Sequence, residues 1–434
     1  MRHSISFFAL ALTLSFFSCN KENGGVFPPE EAYQIAFQND YNELQAYIAV
    51  FLSDEDGKTL AAQWLPGSKT TEIDVPAISR DKKLDCTVVR MQVVQAPGSG
   101  VRDTSIQVDT YTQTPSGSRI QLRSLFYEKS TTLQIQFSGV SSVDSFITPD
   151  GLTFFYPQSS NNFYGQYQIQ HTGRLWFRMK INGEKDWRFL VFQNVNDIAM
   201  NVPAFPPTVL PFIFAKPKDI QTPFPAGWNW RVDGMVDTAK LEFLAFGPMQ
   251  PVPGNAVPIL TALRVFEPIA NDEFDPAPKI YNGFRVKAEG QGPAFNYYID
   301  RFYNELPTSL PQPLFDVSSS NLADQRLAAA RCIGEFDNLI FSRRFSRENL
   351  QIEWRTWHAA AVGAVVTYRL PDVPALVADR APRLRQYAFA PGVWARAENY
   401  AGLNGYDEVL RQQFYNNNAL WKPRADYLAV EKKL

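Results

Sequence analysis

Trp228, Asn229 and Trp230 form the segment of this sequence whose residue types most directly suggest ligand recognition. If the segment is a β-strand, residues two positions apart share a face, and the two indole rings stand about 6.6 Å apart along the chain. Paired indoles can stack against the apolar face of a sugar ring. The same two rings could instead pack inside a hydrophobic core, and the sequence leaves both interpretations open.

Trp176 is a second candidate for ligand binding. It lies in Leu175–Ile181, where apolar residues alternate with polar ones, and it falls on the polar face beside Arg178 and Lys180. A large aromatic side chain on an exposed face is typical of a binding surface. A contact between two sheets or two domains would explain its position equally well.

Enzymatic chemistry has little support in the residue types. Beyond the leader, the chain keeps two histidines, His171 and His358, and it has no HExxH or G-x-S-x-G motif. The segment Gly290-Gln291-Gly292 is followed by Pro293, which departs from the dinucleotide-binding pattern, and no Walker loop occurs. The sequence therefore predicts no catalytic residue, no metal site and no cofactor. A carboxylate glycosidase stays open, because the 44 acidic residues offer no way to choose a catalytic pair.

The first nineteen residues have the pattern of an export signal. Arg2 and His3 precede the apolar run from Phe7 to Phe17, which is shorter than the roughly 20 residues that a membrane-spanning helix needs. Ser18 and Cys19 then follow. This segment resembles a bacterial lipoprotein signal peptide, and the resemblance implies cleavage after Ser18 and a lipid on Cys19. The alternative is an ordinary secretory signal with an incidental cysteine.

The residues after Cys19 extend this resemblance. Asn20-Lys21-Glu22-Asn23 is similar to the short charged export tags of Bacteroidota surface lipoproteins, and residues 20–29 form a polar tether. We therefore expect an exported protein that is anchored to the outer membrane by lipid and faces the cell surface. The formal net charge of −2 gives no strong positive field, so a nucleic-acid partner is not expected.

Hydrophobic periodicity predicts a mostly β fold built of several antiparallel β-sandwiches. Alternation with period two marks strands at Leu133–Phe137 and Leu175–Ile181, and a continuous apolar run marks another at Tyr47–Leu52. Dipeptides suited to tight turns recur at Asp56-Gly57, Asp150-Gly151, Asn182-Gly183, Asp233-Gly234, Asn282-Gly283 and Asn404-Gly405. Asp54 and Glu55 before the first dipeptide resemble the start of a calcium loop, although a solvated hairpin turn explains them too.

Composition divides the chain into five predicted segments. They are a signal peptide (1–18), a lipidated tether (19–29), a β-sandwich domain (30–148), a proline-rich β domain (149–315) and an arginine-rich β/α domain (316–434). Eighteen of the 31 prolines lie between Pro203 and Pro313, where irregular, extended connections around a sheet are therefore expected. This region is the expected place of recognition.

The C-terminal segment is predicted to hold a few short helices among strands. Capping residues and apolar spacing indicate helices at Asn321–Ile333 and Tyr406–Tyr415. Strands are expected between them, at Leu339–Phe345, Gln351–Trp357 and Val362–Leu370. The arginine clusters Arg343-Arg344 and Arg383-Leu384-Arg385 could grip carboxylates or phosphates, although ion pairs with neighbours such as Glu353 are favoured.

Three functional classes follow from these patterns. The first is a membrane-anchored binding lipoprotein with a glycan as its ligand, similar in architecture to sandwich lipoproteins of Bacteroidota sugar-uptake systems. The second is a structural or accessory subunit that docks to a cell-surface protein assembly. The third is a carboxylate-dependent glycoside hydrolase. Cys86 and Cys332 are expected to be buried free thiols in each case, with a disulfide as the alternative.

Overall fold

The computed structural model describes residues 31–41, 46–95, 102–122, 130–137, 143–147, 155–159, 162–168, 175–181, 188–192, 200–205, 213–235, 243–246, 259–270, 283–292, 295–319, 327–347, 349–387, 392–403, 405–415 and 426–433. Only the backbone is described for some residues within these ranges, namely 94–95, 102–103, 130–217, 233–246, 266–270, 319, 386–387 and 415. Strands dominate the described part of the chain, which confirms the predicted mostly β fold.

The N-terminal part contains seven strands up to residue 122. They are β1 (Ala32–Asn39), β2 (Tyr47–Ser53), β3 (Thr59–Leu65), β4 (Lys69–Ser79), β5 (Lys83–Gln95), β6 (Arg102–Pro115) and β7 (Arg119–Leu122). The middle part continues with β8 (Ser130–Phe137), β9 (Val143–Ile147), β10 (Phe155–Ser159), β11 (Asn162–Gln168), β12 (Leu175–Ile181), β13 (Arg188–Phe192), β14 (Met200–Phe205), β15 (Ile213–Met235), β16 (Phe243–Phe246) and β17 (Ile259–Ala270).

The remaining elements run from residue 283 to the C-terminus. The strands are β18 (Gly283–Gln291), β19 (Asn296–Tyr303), β20 (Asp316–Ser319), β21 (Leu327–Ile333), β22 (Asn338–Arg347), β23 (Leu350–His358), β24 (Val365–Arg369), β25 (Val393–Tyr400) and β26 (Tyr427–Lys433). The helices are α1 (Ala375–Ala378), α2 (Pro382–Tyr387) and α3 (Tyr406–Tyr415). Helix α3 has the predicted bounds, and β22, β23 and β24 confirm the three strands expected here.

A single large sheet organises the molecule. Its strands follow the order β3-β2-β5-β6-β23-β22-β25-β26-β19-β18-β15-β13-β12-β9, with β16 and β17 also paired to β15. Neighbouring strands are antiparallel except at one joint, where Thr104–Tyr111 of β6 pairs in parallel with Leu350–Trp357 of β23. The sheet draws strands from all three segments between residues 30 and 434, whose predicted domain boundaries stay a prediction.

Two further layers cover opposite faces of this sheet. On one face, the three-stranded sheet β4-β1-β7 and helix α3 enclose a core that contains Ile48 and Val50. On the other face, the three-stranded sheet β20-β21-β24 and helices α1 and α2 enclose a core that contains Ala49 and Phe51. Strand β2 is therefore buried on both sides, which explains its continuous apolar run.

The helix predicted at Asn321–Ile333 is wrong for the residues that the structure describes. Residues 327–333 form β21, paired with β20 on one side and β24 on the other. Ala328, Ala330 and Cys332 alternate along this strand and point into the core. The free energy that alanine's helix propensity contributes is small compared with the free energy gained by burying one face of the strand. Tertiary packing therefore decides which structure forms.

Predicted turns have mixed outcomes. Asp56-Gly57 joins β2 to β3, with Gly57 at φ +81° and Lys58 donating its backbone N–H to the carboxylate of Asp54, so the hairpin interpretation is confirmed. Asp233-Gly234 is not a turn, because it lies inside β15 and pairs with both β16 and β18. The dipeptides at 150–151 and 182–183 lie outside the described residues.

The proline-rich region is more regular than expected. Strand β15 runs for 23 residues and includes Pro217, Pro223 and Pro225. Its pairing with β17 is interrupted between Gln221 and Ala226, and the last two prolines fall in that interruption. Proline has no N–H to give to a ladder, so it is tolerated where the pairing breaks.

Cys86 and Cys332 are both buried and free, as predicted, and no disulfide joins them. Burial raises the pKa of the Cys332 thiol to about 12, which keeps it protonated and unreactive. Among the described residues, none of the helices has the length and apolar character needed to cross a bilayer.

Candidate ligand-binding site

The indoles proposed as a stacking platform lie in the core. Trp228 is 4% exposed and Trp230 is 7% exposed, and both belong to the core on the α1–α2 side of the large sheet. The Trp228 ring packs edge-on to Tyr297 and covers Gly290, where a Cβ would approach it to 2.7 Å. A buried ring has no open face for a sugar, so the platform interpretation is corrected in favour of core packing.

The other two predicted site residues are Trp176 and Cys19. Trp176 lies on β12, but its side chain lies outside the described part of the chain, and its role in ligand binding stays a prediction. Cys19 lies outside the described residues, so its lipidation also stays a prediction. Within the described ranges, histidine, cysteine and acidic side chains form no group of three that could hold a metal ion.

The opposite face of the strand that carries the two tryptophans borders a recess of about 370 Å³. We call it the Tyr298 recess. The polar residues and tyrosines that line it come from β15, β18, β19 and β26, and they are Asn229, Arg231, Lys287, Glu289, Tyr298, Asp300 and Tyr427. Trp230, Ala288 and Ile299, which alternate with them along the strands, also border it. The alternation that buries Trp228 and Trp230 therefore turns Asn229 and Arg231 outward.

Strand register places these side chains in two rows across the sheet. Asn229 is paired with Glu289, which is paired with Tyr298. Such cross-strand neighbours lie about 4.5–5.5 Å apart between Cβ atoms, close enough for one small ligand to contact a whole row. The second row runs from Arg231 through Lys287 and Asp300 to Tyr427.

Tyr298 is held rigidly at the centre of the recess. Its hydroxyl donates a hydrogen bond of 2.9 Å to Glu431, and the guanidinium of Arg396 lies 4.1 Å from the ring centroid. Burial and the neighbouring carboxylate of Glu431 raise the pKa of Tyr298 above its ordinary value. The ring is half-buried, so its remaining surface faces the recess in one fixed orientation.

Arg396 is fixed between carboxylate and aromatic partners. Its Nε lies 2.8 Å from Glu398, and its Nη2 donates to the Tyr427 hydroxyl at 3.3 Å. Burial alone would lower the pKa of Arg396, but the carboxylates of Glu398 and Glu431 raise it, so the side chain stays charged. Its stacking on Tyr298 is a cation–π contact in a partly desolvated place.

Asp300 is anchored by a buried arginine on the neighbouring strand. Arg285, which is 2% exposed, donates its Nε to the Asp300 carboxylate and also lies 3.7 Å from Asp426. A buried arginine shared by two acids fixes the carboxylate geometry without adding net positive charge. The recess therefore presents acceptors at Asp300 and Glu289 next to donors at Arg231 and Lys287, with neither sign in excess.

The polar face continues beyond the recess toward β25, β22 and β23. Arg344 donates to Glu431 at 2.7 Å and to Glu353 at 3.1 Å, and its guanidinium lies 5.5 Å from the ring centroid of Trp394. The bond to Glu353 confirms the predicted structural ion pair. The surface beside the recess is thus an ordered network in which arginines are paired with acids.

A second cavity, of about 500 Å³, lies between helix α3 and the turn that joins β6 to β7. Asp407 and Lys83 face each other across it at 3.4 Å, and Arg411 also lines it. Its apolar floor is formed by Leu410 and Phe414, each 2% exposed and part of the core beneath α3. It lacks the ring of polar cross-strand pairs that distinguishes the Tyr298 recess.

Sequence reasoning missed Tyr298, Arg396 and Tyr427. The signal available was the period-two pattern of β19 and β25, which predicts two faces but does not identify the buried one. Tyr297 and Tyr298 are adjacent and identical in type, yet Tyr297 lies in the core and Tyr298 in the recess.

Few known proteins show similarity to this chain. No family model matches this chain, and no curated protein sequence matches it. Among solved structures, a match is found to a Bacteroides thetaiotaomicron protein described as one of the "putative polysaccharide binding proteins". It has 9% sequence identity and a TM-score of 0.11, and it covers 60% of this chain and 76% of that chain. A TM-score this low does not establish a common fold.

Proposed function

We propose that this protein is a lipid-anchored surface protein that binds a glycan in the Tyr298 recess. The observation that carries the proposal is the row Asn229–Glu289–Tyr298, in which an amide, a carboxylate and an aromatic ring meet on one open sheet face. Strand pairing and the Glu431 hydrogen bond hold this row in place before any ligand binds.

The chemistry of the recess suits a saccharide. Sugar hydroxyls both donate and accept hydrogen bonds, and Asn229 can do both, while Glu289 accepts and Lys287 donates. The rings of Tyr298 and Tyr427 supply apolar surface against which the C–H groups of a sugar can pack. Because two acids, Glu289 and Asp300, balance two bases, Arg231 and Lys287, an uncharged saccharide fits the recess better than a polyanion.

The anchor forms part of the proposal and rests on the signal-like segment that ends at Cys19. Acyl chains contribute about 0.8 kcal/mol of membrane affinity for each buried methylene group. Cys19→Ala should therefore release the protein from the membrane fraction of cells that express it. Retention of this variant in the membrane would contradict lipid anchoring at Cys19.

Binding can be tested by titration calorimetry with the neutral polysaccharides dextran, soluble starch, yeast mannan and laminarin. We expect at least one to bind, and Tyr298→Ala to weaken that binding about tenfold, equivalent to about 1.4 kcal/mol. Tyr47→Ala is the matched control, because Tyr47 is 40% exposed and also lies under an arginine, Arg380.

Two outcomes would overturn the binding proposal. Equal weakening by Tyr298→Ala and Tyr47→Ala would rule out the recess as the binding site. The absence of binding to all four polysaccharides would rule out the proposed glycan-binding function. Release of new reducing ends during the same incubations would instead support the glycoside hydrolase alternative, with Glu289 and Asp300 as the acids nearest the bound sugar.

One observation favours an accessory subunit as the second candidate. Leu314, Ile333, Val362 and Val365 are all about half or more exposed. The backbone N–H of Gly363 donates to Cys332, and the backbone of Gly334 lies against that of Leu314, so the residues that carry these side chains are near one another at the end of the β20-β21-β24 sheet. Exposed apolar clusters mark protein contacts. Crosslinking in intact membranes should then capture a partner that Val362→Asp loses, and a single uncrosslinked species would count against it.

A further inference from the structure

We infer that the glycan is bound as a chain laid across the strands, with a second contact at Trp394 and Arg344. This inference rests on the proposed glycan binding and extends it from one recess to a polymer. It follows from the continuation of the ordered polar face beyond the Tyr298 recess, on the strands that come next in the large sheet.

The two contacts lie on the same face at a distance that a single sugar ring does not span. Tyr298 of β19 is in register with Ala429 of β26, which is in register with Glu398 of β25. Trp394 lies four residues before Glu398 on the same strand and, by alternation, on the same face. Two strand intervals of about 4.8 Å and four residues of about 3.3 Å place the Cα atoms of Tyr298 and Trp394 about 16 Å apart.

One buried carboxylate holds both contacts in place. Glu431 is 1% exposed, and it accepts hydrogen bonds from the Tyr298 hydroxyl at 2.9 Å and from Nη2 of Arg344 at 2.7 Å. Arg344 in turn lies over the ring of Trp394, which is half-buried. The distance between the two contacts is therefore set by the fold before a ligand arrives, which lowers the entropic cost of engaging both.

The backbone between the two contacts is covered by charged side chains. Ala429 lies between Tyr298 and Glu398 in the register, and it is 0% exposed. The guanidinium of Arg396 lies over the Tyr298 ring at 4.1 Å, and 18% of the Arg396 side chain is exposed. A chain that leaves the recess toward β25 would therefore pass over Arg396, a hydrogen-bond donor, and would not touch the buried Ala429.

The test compares oligosaccharide length with the two contacts. Oligosaccharides from disaccharide to octasaccharide, cut from whichever of dextran, starch, mannan or laminarin binds, are titrated against the full chain. We expect affinity to rise with length until both contacts are spanned. Trp394→Ala should lower the affinity of the octasaccharide about tenfold and leave the disaccharide unchanged, whereas Tyr298→Ala should weaken both.

The controls separate this inference from the proposed function. Trp394→Leu keeps apolar volume without the ring, so it should also lose the length dependence if Trp394→Ala proves to be unfolded by circular dichroism. Equal affinity for disaccharide and octasaccharide, with Trp394→Leu unchanged, would overturn the second contact and leave glycan binding in the recess intact. Binding that Tyr298→Ala does not weaken would overturn the recess itself.

Discussion

The hydroxyl of Tyr298 and the carboxylate of Glu431 are joined by a hydrogen bond of 2.9 Å across strands β19 and β26. Because Glu431 is 1% exposed and also accepts from Arg344, the pair couples a half-exposed aromatic ring to the charge network beneath it. The ring and the hydroxyl of Tyr298 thus have separate tasks, one toward the recess and one toward the protein.

Tyr298→Phe separates these tasks. It removes the hydrogen bond to Glu431 and keeps the ring, so we expect a loss of about 1 kcal/mol in the free energy of unfolding, measured by urea denaturation. Glycan affinity should change much less than in Tyr298→Ala. A Phe variant that binds as weakly as the Ala variant would show that the hydroxyl itself contacts the ligand.

Glu431→Gln tests whether the buried carboxylate supports the polar face. The substitution removes the charge partner of Arg344, and breaking such a pair should cost about 1–2 kcal/mol, a value reduced because Arg344 is partly solvated and keeps Glu353. Asp219→Asn is the matched control, since Asp219 pairs with an exposed arginine, Arg264. The control should leave the denaturation midpoint unchanged, and equal effects of the two variants would contradict a supporting role for Glu431.

Asp85 makes the stability of the fold depend on pH. Burial raises the pKa of this carboxyl to about 7, even though it accepts a hydrogen bond from the backbone N–H of Gln113. A carboxyl whose pKa is higher in the folded state stabilises the fold most at low pH, and this contribution is lost as the pH rises from about 4 to 7. Asp85→Asn keeps an acceptor for Gln113 and does not titrate.

The free energy of unfolding of Asp85→Asn, measured from pH 4 to 8, should therefore increase relative to that of the unaltered protein as the pH rises. The expected gain is of order 1.4 kcal/mol for each unit of pKa shift that is realised in the folded protein. Parallel stability curves for the two proteins over this range would contradict a raised pKa at Asp85.

His358 should act in the opposite direction. Burial lowers its pKa to about 3, and its Nε2 lies 3.0 Å from the hydroxyl of Thr356. The stability that comes from the neutral ring is present above about pH 6.5 and is lost as the pH falls toward 3, because unfolding then takes up a proton. His358→Gln retains a polar partner for Thr356 without titrating, so its acid unfolding should be shallower in the same denaturation series.

Much of the secondary structure was predictable, because period-two patterns report directly on half-buried strands. The bounds of α3 could also be predicted, since Tyr406, Leu410 and Phe414 have helical spacing and all three are buried. The same reasoning predicted the wrong structure for residues 327–333, because alanine is compatible with both a helix and a strand. Pairing with β20 and β24 makes this segment a strand.

The site was less predictable than the fold for a physical reason. An alternating strand predicts that one face is buried, and large aromatics such as Trp228 and Trp230 attract attention as possible ligand contacts. Their size is what makes burial favourable, so the surface chemistry falls to the smaller polar residues between and after them, Asn229 and Arg231. The partners of these residues on β18 and β19 depend on sheet register, which one strand does not encode.

The parallel pairing of β6 with β23 also determines how much of the chain must be synthesised before the large sheet can close. Arg355 bonds to Asp109 across 246 positions of sequence, so β6 has an unpaired edge until residues 350–357 have been made. An open edge of this length can pair with the wrong chain. The N-terminal layers therefore depend on the last quarter of the polypeptide to close their sheet, and a protein truncated before β23 would be prone to self-association as well as incomplete.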